Sequence, residues 1–384
     1  MTTTGDQQLV KRINRSVLLR LLRAQSGLSR AQLAQASGLT KSTVSLLVRE
    51  LIDEGWLSET SVTPASGQGR PSTPLQLDGS TRGLIGVEVA VEALRVVGIS
   101  ITGEVLWSIE EPLTDTAPEG VCQQAAQLVA QACAELAERE FRLTGVGIGL
   151  PGAFDDATGV LRFAPNLGWR NVDFVPLITH ALNEAGVPDV PVHVQNEADT
   201  AALSEYEFSP GEAQNSLIFV SCGAGVGAGI VLNDRLFTGA QGMAGEIGHS
   251  ILQIDGLRCS CGRHGCAETF FGARALAQWA QPSQGGRYLG VVLQNLWTTF
   301  NPSVLVVGGP SCERYPALEQ VAQDTLKTYA DSTGMTAPTL RSARYELLAC
   351  AVGAAALVLH HELRPMHSRS FPQVTPASDD TPTP

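Results

Sequence analysis

The sequence predicts an α/β chain in two parts: a small helical head built as a winged helix-turn-helix, and a larger body in which one α/β unit is repeated around a cleft. Three observations predict it. Apolar residues recur at helical spacing through the first 60 residues, short apolar runs separated by glycines follow from Gly83, and the run pattern of the first half of the body returns in the second. The 384 residues, 43% hydrophobic and 17% charged, suffice for two or three cores. No stretch approaches the roughly 20 apolar residues of a membrane span. Arg20 and Arg23 interrupt the early leucine run, which argues against a signal peptide, so a cytoplasmic protein with no membrane partner is expected.

In the head, Val17, Leu18, Leu21 and Leu22 make an apolar stripe on a first helix. Ser29 followed by Gln32 reads as a capping box opening a second helix, with Leu33 and Ala34 inward and Gly38 closing it. Thr40 caps a third helix. On it Val44, Leu47, Val48, Leu51 and Ile52 share one face, leaving Lys41, Ser42, Thr43, Ser45 and Arg49 along the other. Residues 56–60 and 75–77 are expected to pair as strands around the loop 62–74, whose core Gly67-Gln68-Gly69-Arg70-Pro71 forms the wing tip.

Two helices across a Gly-containing turn, the second with a polar leading end, fit the major groove of DNA. Charge agrees: residues 1–49 hold eight Lys or Arg against Asp6 alone, while the whole chain carries −12. A polyanion is drawn to the head and repelled by the rest. Ser42, Thr43 and Ser45 are the candidate base readers, Lys41 and Arg49 the candidate phosphate holders, and Arg70 the candidate for the minor groove or the phosphates. The head is assigned residues 1–80.

The body is assigned residues 81–363. Residues 84–91, 93–101 and 104–110 read as three sequential strands, followed by a helix over 119–139 and a strand over 145–150. Residues 216–221, 227–232 and 235–238, with a turn at Asn233-Asp234, repeat that strand order. Helices over 287–300, 317–330 and 346–363 complete the second lobe. The tail 364–384, rich in proline and without apolar periodicity, is expected to be disordered.

His249, Cys259, Cys261 and Cys266 follow the spacing His-x9-Cys-x-Cys-x4-Cys. Three thiolates and an imidazole are a tetrahedral zinc set with no open position, so a structural Zn2+ is expected; inert buried thiols or a disulfide are the bland alternatives. Gly256, Gly262 and Gly265 supply the bends. Cys122, Cys133, Cys222, Cys312 and Cys350 stand in apolar contexts and read as core residues.

Four motifs carry a resemblance. They are Ala244-Gly245-Glu246-Ile247-Gly248-His249, the Cys-x-Cys-Gly-x-x-Gly-Cys-x-Glu run from Cys259 to Glu268, Ala164-Pro165-Asn166-Leu167-Gly168-Trp169, and Asn301-Pro302 leading to Gly308-Gly309. With them the chain, from about residue 13 to 363, resembles the ROK family of repressors, open reading frames and sugar kinases. It is similar to the transcription-factor branch with its xylose-responsive and N-acetylglucosamine-responsive repressors. The resemblance implies a duplicated actin-like (ribonuclease-H-like) fold and a monosaccharide held by Asn166, Asn196, Glu197, Glu246, His249 and Glu268. Carboxylates accept from paired hydroxyls, an Asn amide both donates and accepts, and a zinc-bound imidazole donates through its free nitrogen.

In the family's kinases the first strand turn reads Asp-x-Gly-Gly-Thr-Lys, whose glycines admit phosphate. Here it reads Glu88-Val89-Ala90-Val91-Glu92-Ala93, so phosphate would meet side chains and a like charge. The second glycine segment, Gly223-Ala224-Gly225-Val226-Gly227, carries Ala224 where a threonine is favoured, and Glu197 stands where the kinases have a catalytic Asp. The resemblance therefore implies no catalytic residue and a sugar-responsive regulator of transcription. A repressor released from a two-fold operator by xylose or glucose is expected, acting as a homodimer or dimer of dimers. The alternatives are an ATP-dependent sugar kinase of the family and a zinc-stabilised scaffold without ligand.

Overall fold

Local hydrogen bonds build the head. The computed structural model describes residues 7–60, 73–209, 216–278 and 283–365. Helix α1 (Gln7–Ala24) is followed by α2 (Arg30–Ser37) and α3 (Lys41–Asp53). Ser29 and Gln32 form the expected capping box, Gly38 ends α2 in the left-handed region at φ 72°, and the Thr40 hydroxyl accepts from the Thr43 N–H to start α3. Val44, Leu47, Val48 and Leu51 are buried. On α1 the buried leucines are Leu18, Leu19 and Leu22, while Val17 and Leu21 are half-buried, so the stripe is rotated toward Leu19 from its expected position. The reason is tertiary: α1 packs on the body as well as on its own head. Strands β1 (Leu57–Glu59) and β2 (Leu75–Leu77) pair antiparallel as the wing. Its loop, residues 61–72 with Arg70, lies outside the described residues, as does the expected disordered tail from residue 366.

The body is two copies of one mixed sheet. In the first, β3 (Arg82–Val89), β4 (Ala93–Ser100) and β5 (Val105–Pro112) form an antiparallel meander. Helix α4 (Pro118–Glu138) crosses to β6 (Arg142–Leu150), parallel to β3. An insertion follows, the small sheet β7 (Ala153–Asp155), β8 (Val160–Ala164) and β9 (Trp169–Val172), then α5 (Phe174–Glu184), β10 (Val192–Asn196) and α6 (Glu197–Phe208). The second copy has the meander β11 (Ser216–Cys222), β12 (Val226–Leu232) and β13 (Arg235–Leu236). After it come α7 (Glu268–Phe271), α8 (Ala273–Gln278), α9 (Ser283–Phe300), β14 (Val304–Gly308), α10 (Pro310–Arg314), α11 (Ala317–Thr333), β15 (Thr339–Ser342) and α12 (Ala349–Leu363). The strand orders are β10-β6-β3-β4-β5 and β13-β12-β11-β14-β15. Counted from each first strand, both read fifth-fourth-first-second-third, which is the internal repeat expected from the sequence.

Helices α4 and α5 cover the outer face of the first sheet, and α9 and α11 that of the second. Between the sheets lie α6 and α12, in one core continuous with that of the head. They touch so closely that a Cβ on Gly353 would lie 1.7 Å from the Thr200 carbonyl oxygen. Enclosure on all sides explains why α12 is apolar all round. Together with its preceding turn it is, among the described residues, the one segment (Glu346–Leu363, mean hydropathy 1.4) long and apolar enough to cross a membrane. Here 72% of that segment is buried in the protein, so the expectation that no such stretch exists is corrected, and its cause is a core position. Arg364, expected to open the disordered tail, is 5% exposed and pairs with Glu207 and Asp234, so ordered structure reaches at least residue 365.

Candidate ligand cleft, metal cluster and DNA face

Helix α3 presents the predicted polar face. Lys41, Ser42, Ser45 and Arg49 are exposed and Thr43 is half-buried. The Thr40, Ser42 and Thr43 hydroxyls form one network, at 2.9 and 2.8 Å from Thr40 Oγ1. Sequence reasoning missed Leu46. It is 56% exposed and shares a face with Ser42, Ser45 and Arg49; its signal was an apolar residue off the buried i, i+3, i+4 stripe.

The metal-ligand loop has little core: Ile254 and Leu257 are 85% and 66% exposed. What shapes it is backbone geometry. Gly262 and Gly265 have φ of 90° and 72°, and a Cβ on Gly265 would lie 1.7 Å from the Gln253 carbonyl oxygen. Cys259 N–H bonds the Arg263 carbonyl at 2.8 Å, and Gly265 N–H the Leu257 carbonyl at 2.8 Å. The result brings His249, Cys259, Cys261 and Cys266 together, with every donor atom within 4.8 Å of the others. Such a set can hold a metal ion. Cys259 Sγ is 3.6 Å from His249 Nδ1, and Cys261 Sγ is 3.7 Å from Cys266 Sγ. Burial opposes ionisation of Cys261, but hydrogen bonds from Arg263 and the neighbouring thiols bring it down to about 7. Of the remaining cysteines, Cys122, Cys222 and Cys350 are buried as expected, while Cys133 and Cys312 are half-buried.

His249 Nε2 points the other way, 3.9 Å from Glu246 Oε2. Glu268, the first residue of α7, accepts the Val226 N–H at 3.3 Å. A Cβ on Gly225 would lie 3.4 Å from Glu268 Oε2 and 3.9 Å from Asn166 Nδ2, so this glycine keeps open the space between a side chain of the first lobe and one of the second. Burial, then the Glu268 charge against the opposing pull of His249, raises the Glu246 pKa. Burial, then Glu88 and Glu246, pushes Glu197 up to about 8. The carboxylates thus share one electrostatic neighbourhood. Asn196 sits differently: its Oδ1 caps α6 by accepting from Ala198 and Asp199 N–H, and its Nδ2 donates to the Gly152 carbonyl at 2.8 Å. One N–H remains for a ligand.

At the altered strand turn, Glu88 meets Arg95 at 3.2 Å and Arg95 Nε meets Glu110 at 2.7 Å, a cross-strand triad over β3, β4 and β5. The ROK family model matches residues 84–286, more than half of the chain, and a winged helix-turn-helix DNA-binding model matches residues 12–58. The chain belongs to the ROK family. This ROK chain is 28% identical to the xylose repressor of Bacillus spizizenii over 392 aligned positions, covering 94% of the chain and 98% of that protein. It is 25% identical to the DNA-binding transcriptional dual regulator NagC of Escherichia coli, covering 92% and 94%. Its fold matches the crystal structure of a ROK family transcriptional regulator, a homologue of the Escherichia coli Mlc protein, with TM-score 0.73 at 24% identity, over 93% of the chain and 98% of that structure. The actin-like body and the head in front of it are therefore shared with ROK regulators over nearly their whole length.

Proposed function

We propose that this ROK chain is a transcriptional repressor whose operator affinity is set by a monosaccharide in the body cleft. One observation carries the reading: the same chain joins an exposed polar and basic helix face to a two-lobed cleft where Asn166, Glu246, His249 and Glu268 stand beside a four-donor metal loop. Residues 1–80 read DNA and residues 81–363 sense the sugar. Ser42, Thr43 and Ser45 read base edges, Lys41, Arg49 and Arg70 hold phosphates, and Leu46 suits a thymine methyl. A two-fold operator calls for a dimer.

Two of the donor–donor distances in the metal loop suit zinc. Two sulfurs at about 2.3 Å from a tetrahedral zinc stand about 3.8 Å apart, and a sulfur and an imidazole nitrogen about 3.6 Å. The observed 3.7 and 3.6 Å agree. His249 Nδ1 and the three sulfurs would hold it with no open position, and bound zinc would fix the loop and the imidazole tautomer. Nε2–H is then aimed as a donor to a sugar hydroxyl that Glu246 can also accept from. Glu268 and Asn166 address the ring from either side of Gly225, and Glu197 and the spare Asn196 N–H complete the set.

The kinase reading is disfavoured by the turn after β3. Ala90 N–H bonds the Ala93 carbonyl at 2.9 Å, Glu92 is exposed, and Glu88 is already engaged by Arg95. A sugar that prefers one arrangement of the lobes shifts the population of arrangements, and that differential affinity is what reaches DNA. The test is a thermal-shift screen with D-xylose, D-glucose and N-acetylglucosamine, followed by operator titration. A binding sugar at about 100 times its Kd should stabilise the protein by about 2.7 kcal/mol and release operator. Glu246→Gln and Glu268→Gln should bind operator and ignore the sugar. No shift with any of the three, or variants that still release DNA, would refute the assignment. Sugar-dependent ATP turnover at roughly 1–100 per second would favour the kinase instead.

A further inference from the structure

Head and body meet at a buried charge cluster that the proposed function has not used. Helix α1 directs Arg20 and Arg23, one turn apart, at the body. Arg23 pairs with Glu207 Oε2, and Arg20 with Asp234 Oδ2. Arg364, just past α12, bridges both acids. Its NH1 is 2.8 Å from Glu207 Oε1, its NH2 2.5 Å from Asp234 Oδ1, and its Nε donates to the Asp234 carbonyl at 2.8 Å. His360 Nδ1 lies 2.6 Å from Glu207 Oε1, and the Tyr206 hydroxyl donates to Asp234 Oδ1 at 2.8 Å. The Tyr206 ring faces both guanidinium groups, at 5.5 Å for Arg23 and 5.7 Å for Arg364.

Glu207 lies in the last turn of α6 and its side chain is fully buried. An acid there opposes the helix dipole and loses its hydration, so by itself it destabilises α6. It stands only because cations converge from α1 and from the segment after α12, with the His360 imidazole of α12 beside them. Asp234 sits at the Asn233-Asp234 turn, both residues at positive φ, which carries it from the β12–β13 hairpin of the second lobe to the same point. The other end of α6 is Asn196 and Glu197, at the cleft. Ten helical rises from Glu197 put that end about 15 Å from Glu207. From Ala198 to Phe208 every residue is buried, and Gly353 locks the helix to α12, so α6 moves as a rod.

We infer that Arg23 is a positioning residue for the sugar response of operator binding: through Glu207 it fastens α1 of the reading head to the far end of the helix whose first turn floors the sugar cleft. Lobe movement favoured by sugar then changes the angle at which the head is held, with Arg20 and Asp234 adding the second lobe's position. This rests on the repressor reading above.

The test uses the full chain, D-xylose, D-glucose and N-acetylglucosamine as probes, and an operator fragment selected from DNA bound by the wild type. Three quantities are measured: sugar Kd without DNA, operator Kd without sugar, and operator Kd at saturating sugar. In Arg23→Met the ratio of the two operator constants should fall about ten-fold toward unity, while the sugar Kd and the sugar-free operator Kd stay within about three-fold. Arg23→Lys, which keeps the charge, should keep most of the ratio. A wild-type ratio in Arg23→Met overturns the inference, and so does loss of operator binding with and without sugar. If Arg23→Met does not fold, Arg20→Ala at the more exposed pair decides, and an unchanged ratio there also overturns it. A wild type that responds to none of the three sugars fails the repressor reading itself, before any variant is compared.

Discussion

Raising salt should weaken operator binding far less steeply than the basic composition of the head suggests. Of the eight Lys and Arg in residues 1–49, five are committed to ion pairs. Lys11 meets Glu50 at 2.8 Å, Arg15 meets Glu54, Arg20 meets Asp234, Arg23 meets Glu207, and Arg30 meets Glu59 at 2.5 Å. Arg12, Lys41 and Arg49 have no ion-pair partner among the described residues, and Arg70 lies in the wing loop outside them. Each phosphate neutralised contributes about −0.9 to the slope of log K against log salt. In the proposed dimer, four cations in each of two heads give a slope of about −7, whereas all eight plus Arg70 in each head would give about −16. Fluorescence anisotropy on a labelled operator between about 50 and 250 mM NaCl measures the slope. Lys41→Ala and Arg49→Ala should each flatten it by about 2 per dimer, and Lys11→Ala and Arg30→Ala should leave it unchanged. A wild-type slope steeper than about −12, or equal flattening by Lys11→Ala and Lys41→Ala, would refute the accounting.

Two further outcomes are expected. Elemental analysis of protein purified without added metal should find one zinc per chain, and Cys261→Ser should lose the metal and lower Tm together; a metal-free chain with an unchanged melt excludes the assignment. Stability should fall as pH rises from about 7 to 8.5, above the range in which His193 and His361, both pushed down by burial, act in the opposite direction. Glu197, ordinarily near 4.5, is raised to about 8 by burial first and then by Glu88 and Glu246. The native state therefore keeps a proton that the unfolded chain releases, a contribution complete below the ordinary value and lost as pH passes through about 8. Thermal melts across that range should slope downward for the wild type and flatten in Glu197→Gln, and parallel profiles would exclude this source.

Where structure follows from neighbouring residues, the sequence was legible. The Ser29–Gln32 box, the Gly38 and Thr40 caps and the duplicated meanders each need contacts only a few residues apart. The metal loop was legible for the same reason, since its four donors fall within one short segment. The pieces that went unread join distant parts. Strands β7 to β9 are too short to stand out from turns, and they decide where Asn166 points. Asn196 read as a ligand residue, yet its oxygen and one N–H hold α6 and Gly152 in place.

Helix α6 is the clearest case, and its opacity has a physical cause. Glu197–Phe208 mixes Asp199, Glu205 and Glu207 with apolar residues in no one-sided pattern, which alone describes a solvated acidic helix. It is buried because its counter-charges arrive from far along the chain. Arg341 pairs with Glu205 at 2.7 Å, Arg364 reaches Glu207 across 157 residues and Arg23 reaches it across 184. Net charge has the same blindness: it credits Arg20 and Arg23 to DNA when their partners lie in the body. A buried acid without a cation costs several kcal/mol, so the residues that look most misplaced helix by helix are where independent parts must meet. In this chain both ends of one such helix carry them, Glu197 at the cleft and Glu207 at the head, and a signal between the two needs no other rigid element to travel through.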